Sequence, residues 1–238
     1  MLVGVYYRFA NGSFDDQGNL STKWTDIFEY VPSQMAGSIY DPENAPAVPD
    51  FQFSPSYYAI DSAWVYGFSL VNAANGFIEN VSPVSAIPDG AKQQMLAEAR
   101  FLRAFGNAEL LWYSAQYRDP SSKYGIILRD NFVTAATVNL PRSSVSAAYT
   151  SILADLDIAI HALPSLNSTI YLANVWDAKL LKARVLMNKG AAGDLDQVIT
   201  LTKDIIANGP FVLEDSLKDL FRTRGYSKQR GHAGYSAI

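Results

Sequence analysis

Apolar positions recur at helical spacing along most of this chain, most densely between Lys92 and Tyr117. There they fall at Phe101, Phe105, Ala108 and Trp112, and again at Met95, Ala99 and Leu102. Intervals of three and four residues stack side chains on one helix face, and two such rows predict a core helix buried on more than one side. Pro88-Asp89-Gly90 supplies a turn and an N-cap ahead of it, and Arg118-Asp119-Pro120 marks its expected end. A helix this apolar is not stable alone, so partner helices must cover Phe101, Phe105, Leu111 and Trp112.

The same pattern predicts those partners. Ser56 to Val81 carries Ile60, Ala63, Trp64, Phe68, Val71, Ala74 and Ile78 at helical spacing, with Asn72 and Asn75 inside it. Asparagine is a poor mid-helix residue, so these two are expected to hydrogen-bond a neighbouring backbone or to face solvent. A short loop with Pro83 and Pro88 makes this helix and the central one an antiparallel hairpin. A further helix starts at Arg142-Ser143-Ser144-Val145, with Ser143 or Ser144 as cap, and runs through Tyr149, Ile152, Leu153, Leu156 and Ile160 to Leu163-Pro164. Asn174 caps the next, with Trp176, Leu180, Ala183, Leu186 and Met187 as its apolar positions up to Gly190. Gly193-Asp194 restarts the chain through Leu195, Val198, Leu201, Ile205 and Ile206, and Asn208-Gly209-Pro210 stops it. The pair from Lys179 to Ile206 has the pattern of a tetratricopeptide unit, and three stacked hairpins would bury the central helix.

Near the N-terminus, Leu2 to Phe9 predicts one or two helical turns, and Ser21 or Thr22 caps a short helix through Trp24, Ile27, Phe28 and Val31 that Pro32 should stop. Gly37 to Pro55 holds four prolines and predicts a long loop, functional or mobile. Its aromatics either staple the loop onto the helices or form a binding platform. Asp119 to Pro141 is a second irregular region with Gly125 to Leu128 extended. Phe211-Val212-Leu213 is expected to be extended, and Leu217 to Phe221 to form a short turn of helix.

Composition narrows the function. The chain has 238 residues, 49% hydrophobic and 18% charged, enough for a substantial core. A net charge of -4, with basic residues clustered only between Arg222 and Arg230, argues against nucleic acid as partner. Cysteine is absent, which removes disulfides, thiolate nucleophiles and cysteine-ligated metals. No run of eighteen apolar residues and no signal-peptide pattern occurs.

The sequence carries none of the common enzyme constellations. Of two histidines, His161 lies near a helix end, where free carbonyls are the expected partner, and His232 lies in the tail. There is no nucleophile elbow, zinc-binding His-Glu-x-x-His, phosphate loop or dinucleotide fingerprint. The carboxylate pairs Asp15/Asp16, Asp41/Glu43, Asp155/Asp157 and Asp194/Asp196 include none spaced for glycosidase chemistry. An i,i+2 pair on a helix points two ways, and Asp155/Asp157 reads as a solvated face. Asp41/Glu43 lacks the ligand count for calcium. The residues point to binding without cofactor or turnover.

Three motifs together resemble the SusD/RagB family, surface lipoproteins that capture nutrients, mostly glycans, for a TonB-dependent outer-membrane transporter. Ala97-Glu98-Ala99-Arg100-Phe101-Leu102-Arg103-Ala104-Phe105 is similar to that family's most recognisable segment. Trp64, Phe68 and Val71 to Ile78 resemble the preceding helix. Pro141-Arg142-Ser143-Ser144-Val145, with Tyr149, Ile152, Asp155-Leu156, Ala159 and Leu163-Pro164, resembles the Arg-containing helix start and its Asp-Leu to Leu-Pro ending.

The resemblance implies an all-α fold of tetratricopeptide-like hairpins around a central helix with long irregular loops. It implies a SusD-like N-terminal helical domain over 1–221, and the basic tail over 222–238 departs from the family pattern. It also implies capture of an oligo- or polysaccharide without catalysis, at the outer-membrane surface, for a SusC-like transporter. The family's export signal and lipid-bearing cysteine are not in this sequence. Aromatic faces that stack on sugar rings, with polar neighbours for the hydroxyls, suggest Asp50, Phe51, Phe53, Tyr57 and Tyr58 as ligand-binding residues. The alternatives are a tetratricopeptide scaffold for a protein or peptide, and a helical glycoside hydrolase, which needs an opposed carboxylate pair.

Overall fold

The computed structural model describes residues 1–11, 28–29, 31–39, 58–167, 169 and 171–213. Its helices are α1 (Leu2–Asn11), α2 (Val31–Met35), α3 (Tyr58–Val81), α4 (Asp89–Ser114), α5 (Val145–Ala162), α6 (Val175–Lys189) and α7 (Asp194–Asn208). The fold is all-α, built from tetratricopeptide-like hairpins around α4 with irregular loops between them. In sequence order α3 packs on α4, α4 on α5, α5 on α6 and α6 on α7, while α1 lies across α3 and α4.

Two apolar clusters flank α4. On one side Ala104, Ala108, Leu110 and Leu111 pack with Val71 of α3, with Tyr149, Ile152 and Leu156 of α5 and with Leu181 and Val185 of α6. On the other, Ala99 and Leu102 pack with Leu70, Ala74, Phe77 and Val81 of α3 and with Val5 of α1. Burial on both sides is what the doubled periodicity predicted. Phe101, Phe105 and Trp112 are only partly buried and pack at the margins of these clusters. The fully buried axis is alanine and leucine, because small side chains let neighbouring helices approach α4 from both sides. Each buried leucine or isoleucine contributes about 1.5–3 kcal/mol relative to exposure.

Close approach has its own residues. A Cβ on Gly67 of α3 would stand 2.5 Å from Cγ of Leu110, and one on Gly106 of α4 would stand 3.1 Å from Val71. These glycines set the α3–α4 spacing. Ala97, Ala159, Ala173 and Ala178 perform the same task where α4, α5 and the start of α6 meet.

The helix ends follow local chemistry. The Oγ of Ser144 accepts from the Ala147 N–H and caps α5, while Ser143 turns its hydroxyl to the Ile126 carbonyl. Asn174 and Asp177 form a reciprocal capping box on α6, and Gly190 ends that helix at φ 63°, a left-handed conformation that glycine adopts without penalty. The central helix starts at Asp89, inside the turn expected ahead of it, and it stops at Ser114, short of the end expected at Arg118-Asp119-Pro120. Its C-terminus is closed by the Arg142 guanidinium, which donates to the carbonyls of Ser114 and Gly125.

Two expectations change. Pro32 does not stop a helix but lies in the first turn of α2, where a missing N–H costs nothing, and its carbonyl accepts from Ala36 N–H. Leu180, Met187, Leu195 and Ile206 have the spacing of packed residues, yet each is more than half exposed. The expected cap at Ser21 or Thr22, the helix through Trp24 and Ile27, and the turn over Leu217 to Phe221 lie outside the described residues, as does the 222–238 tail.

Candidate functional site

The three sequence motifs meet at one buried ion pair. Arg103 of α4 donates from Nε to Asp155 Oδ2 and from Nη2 to Asp155 Oδ1, both at 2.7 Å, and Arg100 adds a bond to the same carboxylate at 2.9 Å. The remaining nitrogen of Arg103 donates to Asn75 Oδ1 of α3 at 2.8 Å. Side-chain exposures of 8% for Arg103 and 3% for Asp155 leave water little part in this. Burial weakens the Arg103 charge, and the hydrogen bonds and charge of Asp155 outweigh it, holding the guanidinium above its ordinary range. Asp155 is therefore a partner of the central helix and not the solvated face expected for Asp155/Asp157. Asp157 does turn outward, to Lys182. The i,i+2 spacing thus separates the two carboxylates as expected, one into the core and one to solvent.

The network extends to the backbone of the irregular region. The amide nitrogen of Asn75 donates to the carbonyls of Arg129 and Asn131, Asn72 Oδ1 accepts from Val133 N–H, and Glu79 accepts from Phe132 N–H. Residues 72, 75 and 79 share a face of α3, so one helix holds the 129–133 segment by its main chain. Arg129 then bonds the carbonyls of Thr137 and Val138. Gly125 N–H donates to the Ser143 carbonyl and Ser143 N–H to the Ile126 carbonyl, which ties the segment expected to be extended to the approach to α5 without forming a strand.

This clamp places Phe132, 48% exposed, over α3. Its ring is seated on Gly76, where a Cβ would come within 2.8 Å of it. Beside it, between α1 and α3, lies a groove of about 300 Å³ whose walls include Val5, Ala73, Phe77, Asn80 and Phe132. The groove is apolar with one amide and gathers no acid–base pair.

Other ionisable groups are structural. Tyr6 of α1 donates to Glu98 at 2.7 Å and accepts from Ala173 N–H at 2.8 Å, tying α1 to α4 and to the approach to α6. Burial raises the Glu98 carboxyl, and the bonds from Tyr6 and Gln94 pull it partly back. Glu109 is pushed up to about 7 by burial, with Arg184, 4.0 Å away, opposing the shift and Glu29 adding to it. Asp194 is buried and accepts from Lys189 and from Ala191 N–H. His161 is exposed in the last turn of α5. Among the described residues no three His, Asp or Glu side chains gather as metal ligands, and no helix is long and apolar enough to cross a membrane.

Of the ligand-binding residues suggested by sequence, Asp50, Phe51, Phe53 and Tyr57 lie outside the described residues, and Tyr58 opens α3 with its side chain likewise outside them. The Arg103–Asp155 pair was not anticipated, although a signal for it exists. Asp155 stands at i+3 from Ile152 and beside Leu156 on the apolar face of α5, where an acid requires a cation. Phe132 had no periodic context that would have marked it.

No family model matches the chain. A curated SusD-like protein of Bacteroides ovatus is 26% identical over 209 residues, covering 84% of this chain and 37% of that protein. The chain thus spans little more than a third of its relative's length. Among solved structures, a SusD superfamily protein from Bacteroides thetaiotaomicron superposes with TM-score 0.61 at 20% identity, over 71% of this chain and 37% of the other. A surface glycan-binding protein A from Bacteroides fluxus superposes with TM-score 0.67 at 20% identity, over 92% of this chain and 45% of the other. In sequence the chain is similar to a SusD-like protein, and in fold it resembles solved SusD superfamily structures.

Proposed function

We propose that this chain is the N-terminal helical part of a carbohydrate-binding protein of the outer-membrane surface, and that it captures an oligo- or polysaccharide without chemical turnover. The observation that carries this reading is the buried Arg103–Asp155–Asn75 junction. It joins the three motifs shared with SusD-like proteins and spends the polar side chains nearest the core on holding loops in place. The fold shared with a surface glycan-binding protein supports the same ligand class. Under this reading a TonB-dependent, SusC-like transporter receives the ligand, residues 1–221 act as one helical domain, and 222–238 is a separate basic tail.

Ligand contact is assigned to Asp50, Phe51, Phe53, Tyr57 and Tyr58, which immediately precede or open α3. Aromatic rings stack on pyranose faces, and the adjacent carboxylate takes hydroxyl bonds. Titration of the purified chain against a panel of plant and microbial polysaccharides should find at least one saccharide bound. Tyr57→Ala with Tyr58→Ala should weaken that binding at least about tenfold, or 1.4 kcal/mol. Unchanged affinity in the double variant removes these residues from the site. Consumption of the saccharide by the wild-type chain removes the non-catalytic reading.

A further inference from the structure

Two asparagine–glycine pairs lie within the described residues, Asn75-Gly76 in α3 and Asn208-Gly209 at the end of α7. Such a pair is chemically labile, because a glycine with no Cβ lets its own backbone nitrogen swing onto the preceding carboxamide. The fold treats the two differently. Asn75 is fully buried, and its side chain donates to the carbonyls of Arg129 and Asn131 and accepts from Arg103. Asn208 is exposed in the last turn of α7, where two bonds hold the groups that would react. Its Nδ2 donates to Asp204 Oδ1 at 2.7 Å, and the Gly209 N–H donates to the Ile205 carbonyl at 2.9 Å. Gly209 is buried against that turn, and a Cβ there would collide with the same carbonyl. Asp204 also pairs with Lys179 of α6, and the hydrogen bonds from Lys179 and Asn208 hold its carboxyl below the ordinary range, so it stays an acceptor at neutral and alkaline pH.

We propose that Asn208 is a site of spontaneous deamidation in the folded chain, held in check by Asp204 and the Ile205 carbonyl and released when the last turn of α7 frays. This inference is independent of the glycan reading. In the reaction the Gly209 nitrogen bonds to Cγ of Asn208, and the side-chain nitrogen takes the Gly209 proton and leaves as ammonia. Water then opens the cyclic imide at either carbonyl, giving aspartate or isoaspartate with no change of oxidation state. While the turn is closed, the Gly209 N–H is aimed at Ile205 and not at Asn208 Cγ. Helix ends open locally at far lower cost than a core helix unfolds. Asn208 therefore reacts from the native state by fraying of one turn, whereas Asn75 reacts only when α3 leaves the core. Either product places a carboxylate at a helix C-terminus, where the helix dipole disfavours negative charge, so the modified turn favours the open form.

The test is peptide mapping by mass spectrometry of the full chain held in mildly alkaline buffer, with isoaspartate separated from aspartate. The Asn208 peptide should accumulate both acids while the Asn75 peptide stays an amide, and in concentrated urea the two should react at similar rates. Asp204→Ala should speed the Asn208 reaction about tenfold, because the closed turn has lost one charge-assisted hydrogen bond. Lys179→Met breaks the tie to α6 but leaves Asp204 on Asn208, and should change the rate far less. The Asn75 peptide reports global unfolding in every sample. An Asn208 peptide as inert as Asn75 in the folded protein overturns the proposal. Equal acceleration by Lys179→Met, or acceleration at Asn75 as well as Asn208 in Asp204→Ala, assigns the protection to overall stability and overturns it equally.

Discussion

The residue that organises the interior is Arg103, because each of its three guanidinium nitrogens donates to an acceptor on one of two other helices. Removing one partner of a buried pair strands the other, at a cost of about 3–5 kcal/mol. Arg103→Met should therefore lower unfolding free energy by about 3 kcal/mol in urea titration, since Arg100 still reaches Asp155. Pairing it with Asp155→Leu should recover much of that loss, because two apolar groups leave no orphaned charge. Glu109 gives a pH signature. Its folded pKa of about 7 lies above its ordinary value of 4.5, so the fold binds its proton more tightly than the unfolded chain does. The penalty for burying its charge is fully present above pH 7 and disappears as pH falls toward 4.5. Glu109→Gln should stabilise the protein by up to about 3 kcal/mol at pH 8 and by little at pH 4.5, as read by urea melts at the two pH values.

At the scale of elements, spacing and chemistry separate cleanly. Helix existence followed from periodicity, since α3 to α7 stand where three-and-four spacing placed them and are bounded by the residues that cap helices: Ser144, Asn174, Gly190 and Gly209. Boundaries set by distant groups were not legible locally. Where α4 ends is decided by Arg142, 28 residues further on, which takes the Ser114 carbonyl. Pro32 misled because proline is compatible with a first turn as well as with a stop. The distance between α3 and α4 depends on Gly67, where an added methyl meets the branch carbon of Leu110, 2.5 Å away, rather than a flexible tip. Gly67→Ala should thus cost about 1–3 kcal/mol, against the gain an alanine brings to an exposed helix position, and thermal denaturation will read the sign.

For the whole molecule, hydrophobic periodicity determined that the chain is helical and that the segment around Phe101 is central. These properties are local, because the 3.6-residue repeat is written in consecutive residues. Tertiary structure decided the rest. It alone shows that Asp155 is buried on Arg103 and not solvated, that Asn75 and Asn72 clamp a loop more than fifty residues away, and that Leu195 and Ile206 face outward. An apolar residue carries the same letter whether a neighbouring helix covers it or not, and a carboxylate the same letter whether a cation waits opposite. Which of these holds depends on contacts between segments far apart in the chain, and only the packed fold brings those segments together.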